Sequence, residues 1–156
     1  MDVGCGPGRY AFLFPSGYVG IDLEMESLRW ARDRLKSSFL QMDAANLGFG
    51  SNRFDRVFSV GLFHHVSDRQ AADIIREMVR VCRPRGRVVI VDAIFPTNTL
   101  NFIGHVLSRL DRGKFMRRFK ALSNVLEVGG LRLLDRSVMK SFPMEVGAFH
   151  FEVTEV

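Results

Sequence analysis

The stretch Asp2-Val3-Gly4-Cys5-Gly6-Pro7-Gly8 decides the fold, because it has the form of a strand end that runs into a glycine turn. Glycines at alternate positions permit a tight turn and let a ligand approach the backbone closely. A helix that starts there attracts negative charge at its N-terminus. The Gly-x-Gly-x-x-Gly spacing of dinucleotide binders is absent, because position 9 is Arg. The turn alone therefore indicates a strand–turn–helix unit and no particular ligand.

Outward from the turn, short β-branched runs alternate with segments of helical period, a pattern typical of a mostly parallel sheet. Further strands are predicted at Tyr18–Ile21, Ser38–Met42, Phe54–Val60 and Arg87–Ala93. One helix is predicted over Met25–Leu35. Another starts at a capping box of Ser67 and Gln70, runs through Cys82 and stops at the Arg83-Pro84-Arg85-Gly86 stretch. The crossover after Gly8 is short, with Pro15 ending any helix after about six residues.

The last third of the chain has a different pattern. Two amphipathic helices, Leu100–Leu110 and Phe115–Leu126, precede two strands, about Leu131–Met139 and Val146–Val153. Alternation in the final strand favours an antiparallel pair that closes one edge of the sheet. We therefore expect one α/β domain over residues 1–156, with a helical lid insertion at about 97–128.

Length and composition are those of one ordinary globular domain. The chain has 156 residues, of which 47% are hydrophobic and 25% charged, so disordered and low-complexity classes are excluded. No apolar run approaches the length of a membrane helix, and no signal peptide is apparent. Cys5 and Cys82 are too few for a disulfide scaffold and lack zinc-ligand spacing, so we expect no metal and a reducing compartment, the cytoplasm.

The net charge of +5 is concentrated in one segment. Residues 109–120 hold six of the 22 Lys and Arg residues and one of the 17 Asp and Glu residues, which leaves 16 of each sign elsewhere. Three interpretations remain open: a solvated helix face, attraction of an acidic or lipid-like acceptor or an anionic membrane surface, and nucleic-acid binding. Nucleic acid is the least favoured, because aromatic residues are not interleaved on the basic face of the helices as stacking platforms would be.

Three aspartates stand at predicted strand ends. Asp2 precedes the turn, Asp22 ends the second strand and Asp43 ends the third. Ligands of open α/β sheets bind outside the carboxyl ends of the strands, where a carboxylate accepts hydrogen bonds from ribose hydroxyls. The alternative is that these residues are ordinary strand-end or N-cap aspartates.

Together these motifs resemble class I S-adenosylmethionine-dependent methyltransferases of the small-molecule branch. The resemblance rests on Asp2–Gly8, Gly20-Ile21-Asp22, Asp43-Ala44, Phe54-Asp55 and Phe63–Asp68, and it runs from Met1 to about Phe95. It implies a Rossmann-like three-layer sandwich with a mostly parallel seven-stranded sheet in the order 3-2-1-4-5-7-6. It also implies S-adenosyl-L-methionine as cofactor and S-adenosyl-L-homocysteine as product.

The resemblance also implies residue roles. The turn, with Gly4, Cys5, Gly6 and Gly8, would pass under the methionine part, and Asp2 would lie near its amino group. Asp22, with Leu23 beside it, would bind the ribose. Asp43 and the amide of Ala44 would meet the adenine, and the backbone at Ser59 and Val60 would line the methionine side.

Two histidines are candidates for a general base. His64 and His65 follow the fourth strand, and imidazole titrates in the range that such a base needs. We favour His65, because the family often has a histidine there. The alternative for both is a loop histidine that packs against or caps the helix from Ser67.

In the family, several residues and a helix precede the acid of the first strand, whereas here only Met1 does. We therefore expect an N-terminally truncated form or a mis-assigned start. The leading hypothesis is methyl transfer to a small-molecule acceptor. The alternatives are a truncated or degenerate fold that acts as a non-catalytic binding module, and a nicotinamide-dependent oxidoreductase. The glycine spacing and the absence of a Tyr-x-x-x-Lys pair oppose the oxidoreductase.

Overall fold

The computed structural model describes residues 1–14, 16–111, 113–127 and 129–154. Seven strands form one sheet in the order β3-β2-β1-β4-β5-β7-β6, which confirms the predicted order. The strands are β1 (Asp2–Val3), β2 (Val19–Asp22), β3 (Ser38–Gln41), β4 (Phe54–Val60), β5 (Cys82–Ile94), β6 (Leu131–Ser141) and β7 (Met144–Val153).

The first five strands pair in parallel, and the edge beyond β5 is antiparallel. β1 lies between β2 and β4, so the glycine turn starts at the middle of the sheet. β7 pairs antiparallel with both β5 and β6, as the alternation in the final strand predicts. Phe149, Phe151 and Val153 are buried, whereas His150 and Glu152 are half-buried on the other face.

Among the described residues four α-helices connect the strands: α1 (Met25–Arg34), α2 (Asp68–Val81), α3 (Phe102–Leu110) and α4 (Phe119–Leu126). The predicted capping box is confirmed, because Ser67 Oγ accepts from the Gln70 amide and Gln70 Oε1 accepts from the Ser67 amide. Beyond the end of α2, Cys82 is the first residue of β5. The prediction that Cys82 belongs to the helix was therefore wrong. None of these helices is long and apolar enough to cross a membrane.

Two apolar clusters cover opposite faces of the sheet and create three layers. α2 and α4 pack on one face around Val57, Ile90 and Phe149. α1 packs on the other face around Tyr18 and Phe39. Successive residues of a strand point to opposite faces, so Val57 and Phe58 of β4 belong to different clusters.

One predicted helical feature differs in the structure, and another is present with an orientation that the pattern did not specify. The crossover after Gly8 forms only a single 3-10 turn, Ala11–Leu13, and Pro15 lies outside the described residues. α3 keeps its helical form but turns its large apolar side chains outward, with Ile103 and Leu110 exposed. Helical spacing does not fix which side of a surface helix meets the core when small residues occupy the opposite side.

Candidate functional site

The glycine turn is bound to the end of β2. The amides of Gly4 and Cys5 both donate to the carbonyl of Ile21 at 2.9 Å. Gly4, Gly6 and Gly8 all have positive φ, which favours glycine. A Cβ on Gly8 would lie 2.6 Å from the Phe39 ring, whereas one on Gly6 would meet nothing within 4 Å. At Gly8 the turn is therefore in close contact with the Phe39 ring, whereas at Gly6 it is open.

Asp22 connects the turn to α1. Its Oδ2 accepts from the Gly6 amide at 2.7 Å, and its Oδ1 accepts from the Glu24 amide at 2.8 Å. Leu23, beside it, is exposed. A half-buried carboxylate is thus fixed against the open part of the turn.

Asp43 lies at the end of the neighbouring strand. The amide of Met42 donates to the Asp22 carbonyl at 3.0 Å, which brings the two strand ends together. Asp43 is exposed and its Oδ1 accepts from the Ala45 amide at 2.8 Å, while Ala44 is buried. The structure therefore brings Asp22, Asp43 and the turn to one edge of the sheet.

Asp2 and Cys5 are turned into the protein. Asp2 is 1% exposed, and its Oδ2 accepts a hydrogen bond from the Tyr18 hydroxyl at 2.6 Å. Burial raises the pKa of Asp2 to about 6, although the hydrogen bond from Tyr18 acts against this. The Cys5 thiol packs against Gly20, and burial raises its pKa to about 12. Only the backbone of Cys5 belongs to the open edge.

Ser59 and Val60 lie beside the turn through their backbone. Ser59 is fully buried, and its hydroxyl has no hydrogen-bond partner within the described part of the chain. Val60 is half-buried and leads into Gly61, whose amide donates to the Val91 carbonyl. The next residue, Leu62, packs directly against Gly4.

His64 is bonded to a buried carboxylate. Its Nδ1 lies 2.7 Å from Asp92 Oδ1, and its Nε2 lies 3.7 Å from Asp111 Oδ1. Burial acts to lower the pKa of His64, but the hydrogen bond and charge of Asp92 and the charge of Asp111 raise it overall. The His65 ring centroid lies 4.0 Å from that of His64, and partial burial and the charge of His64 lower the pKa of His65. The two neighbouring imidazoles are therefore shifted in opposite directions.

Three residues of this region were not among the sequence-based candidates. Asp92 is 1% exposed and also accepts from the amides of Phe63 and His64. A lone carboxylate within the apolar run Arg87–Ala93 was the available signal. Asp111 and Arg117 come from the segment after α3, and nothing in the sequence around them indicates contact with His64 or Phe63.

A cavity of about 660 Å³ opens on the α1 side of the turn. Its lining includes Pro7, Gly8, Phe12 and Trp30. Neither Asp22 nor Asp43 lines it. The cavity therefore lies between the turn and α1, and the two aspartates are not part of its lining.

Comparisons with known proteins identify the family. Residues 1–90 match a family model described as Methyltransferase domain. Since this match spans more than half of the chain and the sheet order is the one described above, the chain belongs to the class I S-adenosylmethionine-dependent methyltransferase family.

Three relatives show the range of proteins to which the chain is similar. Methyltransferase GfsG of Streptomyces halstedii is 34% identical over 105 residues, covering 60% of this chain and 37% of the relative. A tRNA (carboxymethyluridine(34)-5-O)-methyltransferase of Arabidopsis thaliana is 34% identical over 92 residues, covering 58% and 22%. The ubiquinone/menaquinone biosynthesis C-methyltransferase UbiE of Pseudomonas putida is 35% identical over 113 residues, covering 64% and 43%. The matches thus span less than half of each relative.

A solved structure supports the fold independently. A SAM-dependent methyltransferase from Methanosarcina mazei superimposes with a TM-score of 0.82, covering 99% of this chain and 92% of that one. Its sequence identity is 18%, so the likeness concerns the fold alone.

Proposed function

We propose that this chain binds S-adenosyl-L-methionine and transfers its methyl group to a small-molecule acceptor. The observation that carries the proposal is the edge where the Asp22 carboxylate accepts from the Gly6 amide, with Asp43 at the adjoining strand end. Family membership sets the reaction class, and the site residues supply a place for the cofactor.

The residues at this edge fit the cofactor. A carboxylate offers about four acceptor positions, and Asp22 uses two of them for the backbone amides of Gly6 and Glu24. The remaining positions suit two ribose hydroxyls. The open space over Gly6 permits close approach of a ligand to the backbone, and the exposed Leu23 offers an apolar contact.

When bound, S-adenosyl-L-methionine supplies a methyl group on a sulfonium, and the chemistry is the cofactor's own. The chain orients the ligand through Asp22, through Asp43 with Ala44, and through the backbone at Ser59 and Val60. The Gly4–Gly8 backbone completes the cradle. Position and exclusion of water are the main contributions that a protein makes to such a displacement.

His65 is the residue that we propose as general base when the acceptor must lose a proton. Its lowered pKa leaves it neutral near pH 7, so its ring accepts a proton. His64 is held by Asp92 and has a raised pKa, which suits it to positioning the adjacent ring and leaves it second in this role.

We propose that the segment 97–128 forms a lid over the acceptor side. Asp111 and Gly113 lie against His64, so this segment reaches the candidate base. Its basic residues favour an acceptor with an acidic or lipid-like part. One relative's name refers to quinones and another's to tRNA, and of these two acceptor classes we favour the small molecule. The low cysteine content suits the cytoplasm as compartment.

The test is calorimetric titration of the 156-residue chain with S-adenosylmethionine and S-adenosylhomocysteine. We expect saturable binding of both ligands and a loss of at least about tenfold in affinity for Asp22→Ala and for Asp43→Ala. Asp33→Ala is the matched control, because Asp33 is an exposed carboxylate on α1 away from the edge.

Two results would overturn the proposal. Absence of binding by a folded chain would favour a non-catalytic module, and saturable binding of NAD in place of these ligands would favour an oxidoreductase.

Once an acceptor is found, His65→Gln is expected to reduce turnover at saturating cofactor without changing cofactor affinity.

A further inference from the structure

α3 presents its large apolar side chains to solvent. Phe102 and Leu110 are each 75% exposed, Ile103 is 54% exposed and Leu107 is 41% exposed. At 100° per residue these four positions share one continuous arc of the helix. A surface helix normally turns such an arc toward the core, so this face is available to an external partner.

Small residues fix this orientation from the inner side. Gly104 and Ser108 are buried on the opposite side of α3. A Cβ on Gly104 would lie 2.3 Å from the Pro143 carbonyl, so a larger side chain has no room there. Asn101 Nδ2 donates to the same carbonyl at 2.9 Å, while Asn101 Oδ1 accepts from the Gly104 amide. The outward turn of α3 is therefore built into its contacts.

Two further exposed apolar residues lie close to α3. Leu100 is 87% exposed and Phe142 is 76% exposed, and both line one cleft with Lys140. We name as the α3 surface the apolar residues Leu100, Phe102, Ile103, Leu107, Leu110 and Phe142.

Basic residues lie on α3 and close to it. Arg109 is in the last turn of α3, and Lys140 lies in the cleft beside Phe142. Lys114, Arg118 and Lys120 come next along the chain and are exposed. Because the rest of the chain carries equal numbers of acidic and basic residues, the excess positive charge lies in residues 109–120, of which Arg117 is turned inward and pairs with Asp68.

We propose that the α3 surface docks on a bilayer that contains anionic lipids. An interfacial helix places Leu, Ile and Phe at the acyl boundary, while Lys and Arg interact with the headgroups. Nucleic acid fits less well, since aliphatic side chains make up most of the surface and offer no base-stacking faces. Asp111, directly after α3, lies 3.7 Å from His64 Nε2, so docking brings the candidate active site toward the bilayer.

Co-sedimentation with vesicles tests the proposal, using phosphatidylcholine mixed with phosphatidylglycerol against phosphatidylcholine alone. We expect binding to the mixed vesicles, weaker binding to the neutral ones and release at high salt. The triple variant Ile103→Gln, Leu107→Gln, Leu110→Gln is expected to lose about tenfold or more in binding. Since these residues are exposed, its circular dichroism should match that of the unmodified chain.

The matched control is Leu133→Gln with Leu134→Gln. Both leucines are exposed on β6, about 25 Å along the strand from the hairpin next to α3. This double variant should bind vesicles as the unmodified chain does.

Several results would overturn the proposal. Equal vesicle binding by the triple variant, or equal binding to neutral and anionic vesicles, would do so. Self-association that the triple variant abolishes, with no vesicle binding, would assign the surface to a second copy of the chain. Binding of tRNA without binding of vesicles would assign the charge to nucleic acid. The readout is binding alone, so it does not depend on the proposed function.

Discussion

Gly6 and Gly8 share a positive φ but differ in their surroundings, which makes them a matched pair. We expect Gly8→Ala to lower the free energy of unfolding by about 2–4 kcal/mol, because backbone strain adds to overlap with the Phe39 ring. Gly6→Ala adds strain alone and should cost about 1 kcal/mol. Urea unfolding measures both.

Gly6→Ala, the variant with the smaller effect on stability, is expected to have the larger effect on cofactor binding, which ligand titration measures. A methyl group on Gly6 fills the open space over the turn, so Gly6→Ala should weaken cofactor binding while the chain stays folded. Equal losses of stability in the two variants would contradict the observation that Gly8 is packed against Phe39 while Gly6 is open.

Asp2 makes stability depend on pH in a window set by its raised pKa. Its carboxyl has a pKa of about 6 in the folded chain against an ordinary value of 3.8, so the folded state holds a proton that the unfolded state has lost. The free energy of unfolding is therefore highest, as far as Asp2 is concerned, below about pH 4, and it falls as the pH rises to about 6 because the buried carboxyl must then lose its proton. Asp2→Asn should be more stable than the unmodified chain by about 2–3 kcal/mol at about pH 8.

Thermal unfolding from acidic to mildly alkaline pH measures this effect, with Asp33→Asn as an exposed control. The advantage of Asp2→Asn should vanish below about pH 4, where the carboxyl is protonated in both states. A constant difference at every pH would mean that packing against Tyr18, and not ionisation, governs this position.

The sequence indicates some site residues and not others for a physical reason. Asp22 and Asp43 follow apolar strands directly, and parallel strands bring their carboxyl ends to one edge, so local pattern was sufficient. That Asp2 and the Cys5 thiol face inward depends on Tyr18 and Gly20, which local pattern does not specify. The contact of Asp92 with His64 likewise joins residues 28 positions apart.

At the scale of elements, Arg117 joins the segment after α3 to the loop after β4. Its guanidinium donates to the carbonyls of Phe63, Val66 and Phe115 and forms an ion pair with Asp68. The Arg117 side chain is 9% exposed, and its bonds to the carbonyls of Phe63 and Val66 are partly buried. This contact holds Asp111 and Gly113 against His64.

We expect Arg117→Ala to lower the free energy of unfolding by about 2–4 kcal/mol, because the partly buried carbonyls of Phe63 and Val66 lose their donor. Arg117→Lys should rescue little, since an ammonium does not reproduce the planar arrangement of donors. Limited proteolysis should cut the segment 97–118 faster in both variants. Arg69→Ala, an exposed arginine on α2, is the control. Unchanged proteolysis in Arg117→Ala would show that other contacts hold the segment.

Local signals were sufficient for some elements and not for others. The capping box placed the start of α2 correctly because both of its hydrogen bonds lie within four residues. α3 has an apolar stripe of equal clarity, yet Gly104 and Ser108 form its inner side, because the Pro143 carbonyl lies too close for a larger residue. Which side of a helix is buried therefore depends on the partner as well as on the pattern.

For the whole molecule, the alternation of strands and helices was readable from hydrophobic period, but the strand order was not. The order came from resemblance to a family, and the observed sheet confirms it. Hydrophobic periodicity does not specify where a strand lies in a sheet, and many strand orders are compatible with the same succession of strands along the chain.

The pairing of β1 with its neighbours bears on how this 156-residue chain opens. β1 lies at the centre of the sheet and pairs with β4 at Asp2 and Phe58, and the adjoining Met1 adds two hydrogen bonds to β4, at Arg56 and Phe58. The portion formed by β2, β3 and α1 is thus joined to the larger portion by few hydrogen bonds. We expect native-state hydrogen exchange to find two cooperative units, with amides of β2 and β3 opening at lower free energy than those of β5 and β7.

Uniform opening free energies across the sheet would contradict this division. The candidate cofactor residues lie on both units, with Asp22 and Asp43 on one and Ser59 and Val60 on the other. A ligand that contacts both units would stabilise the contact between them, because the units could not separate without releasing it. Hydrogen-exchange protection of the amides in β2 and β3 should then rise with ligand concentration, so that the exchange rates report how much of the site is occupied.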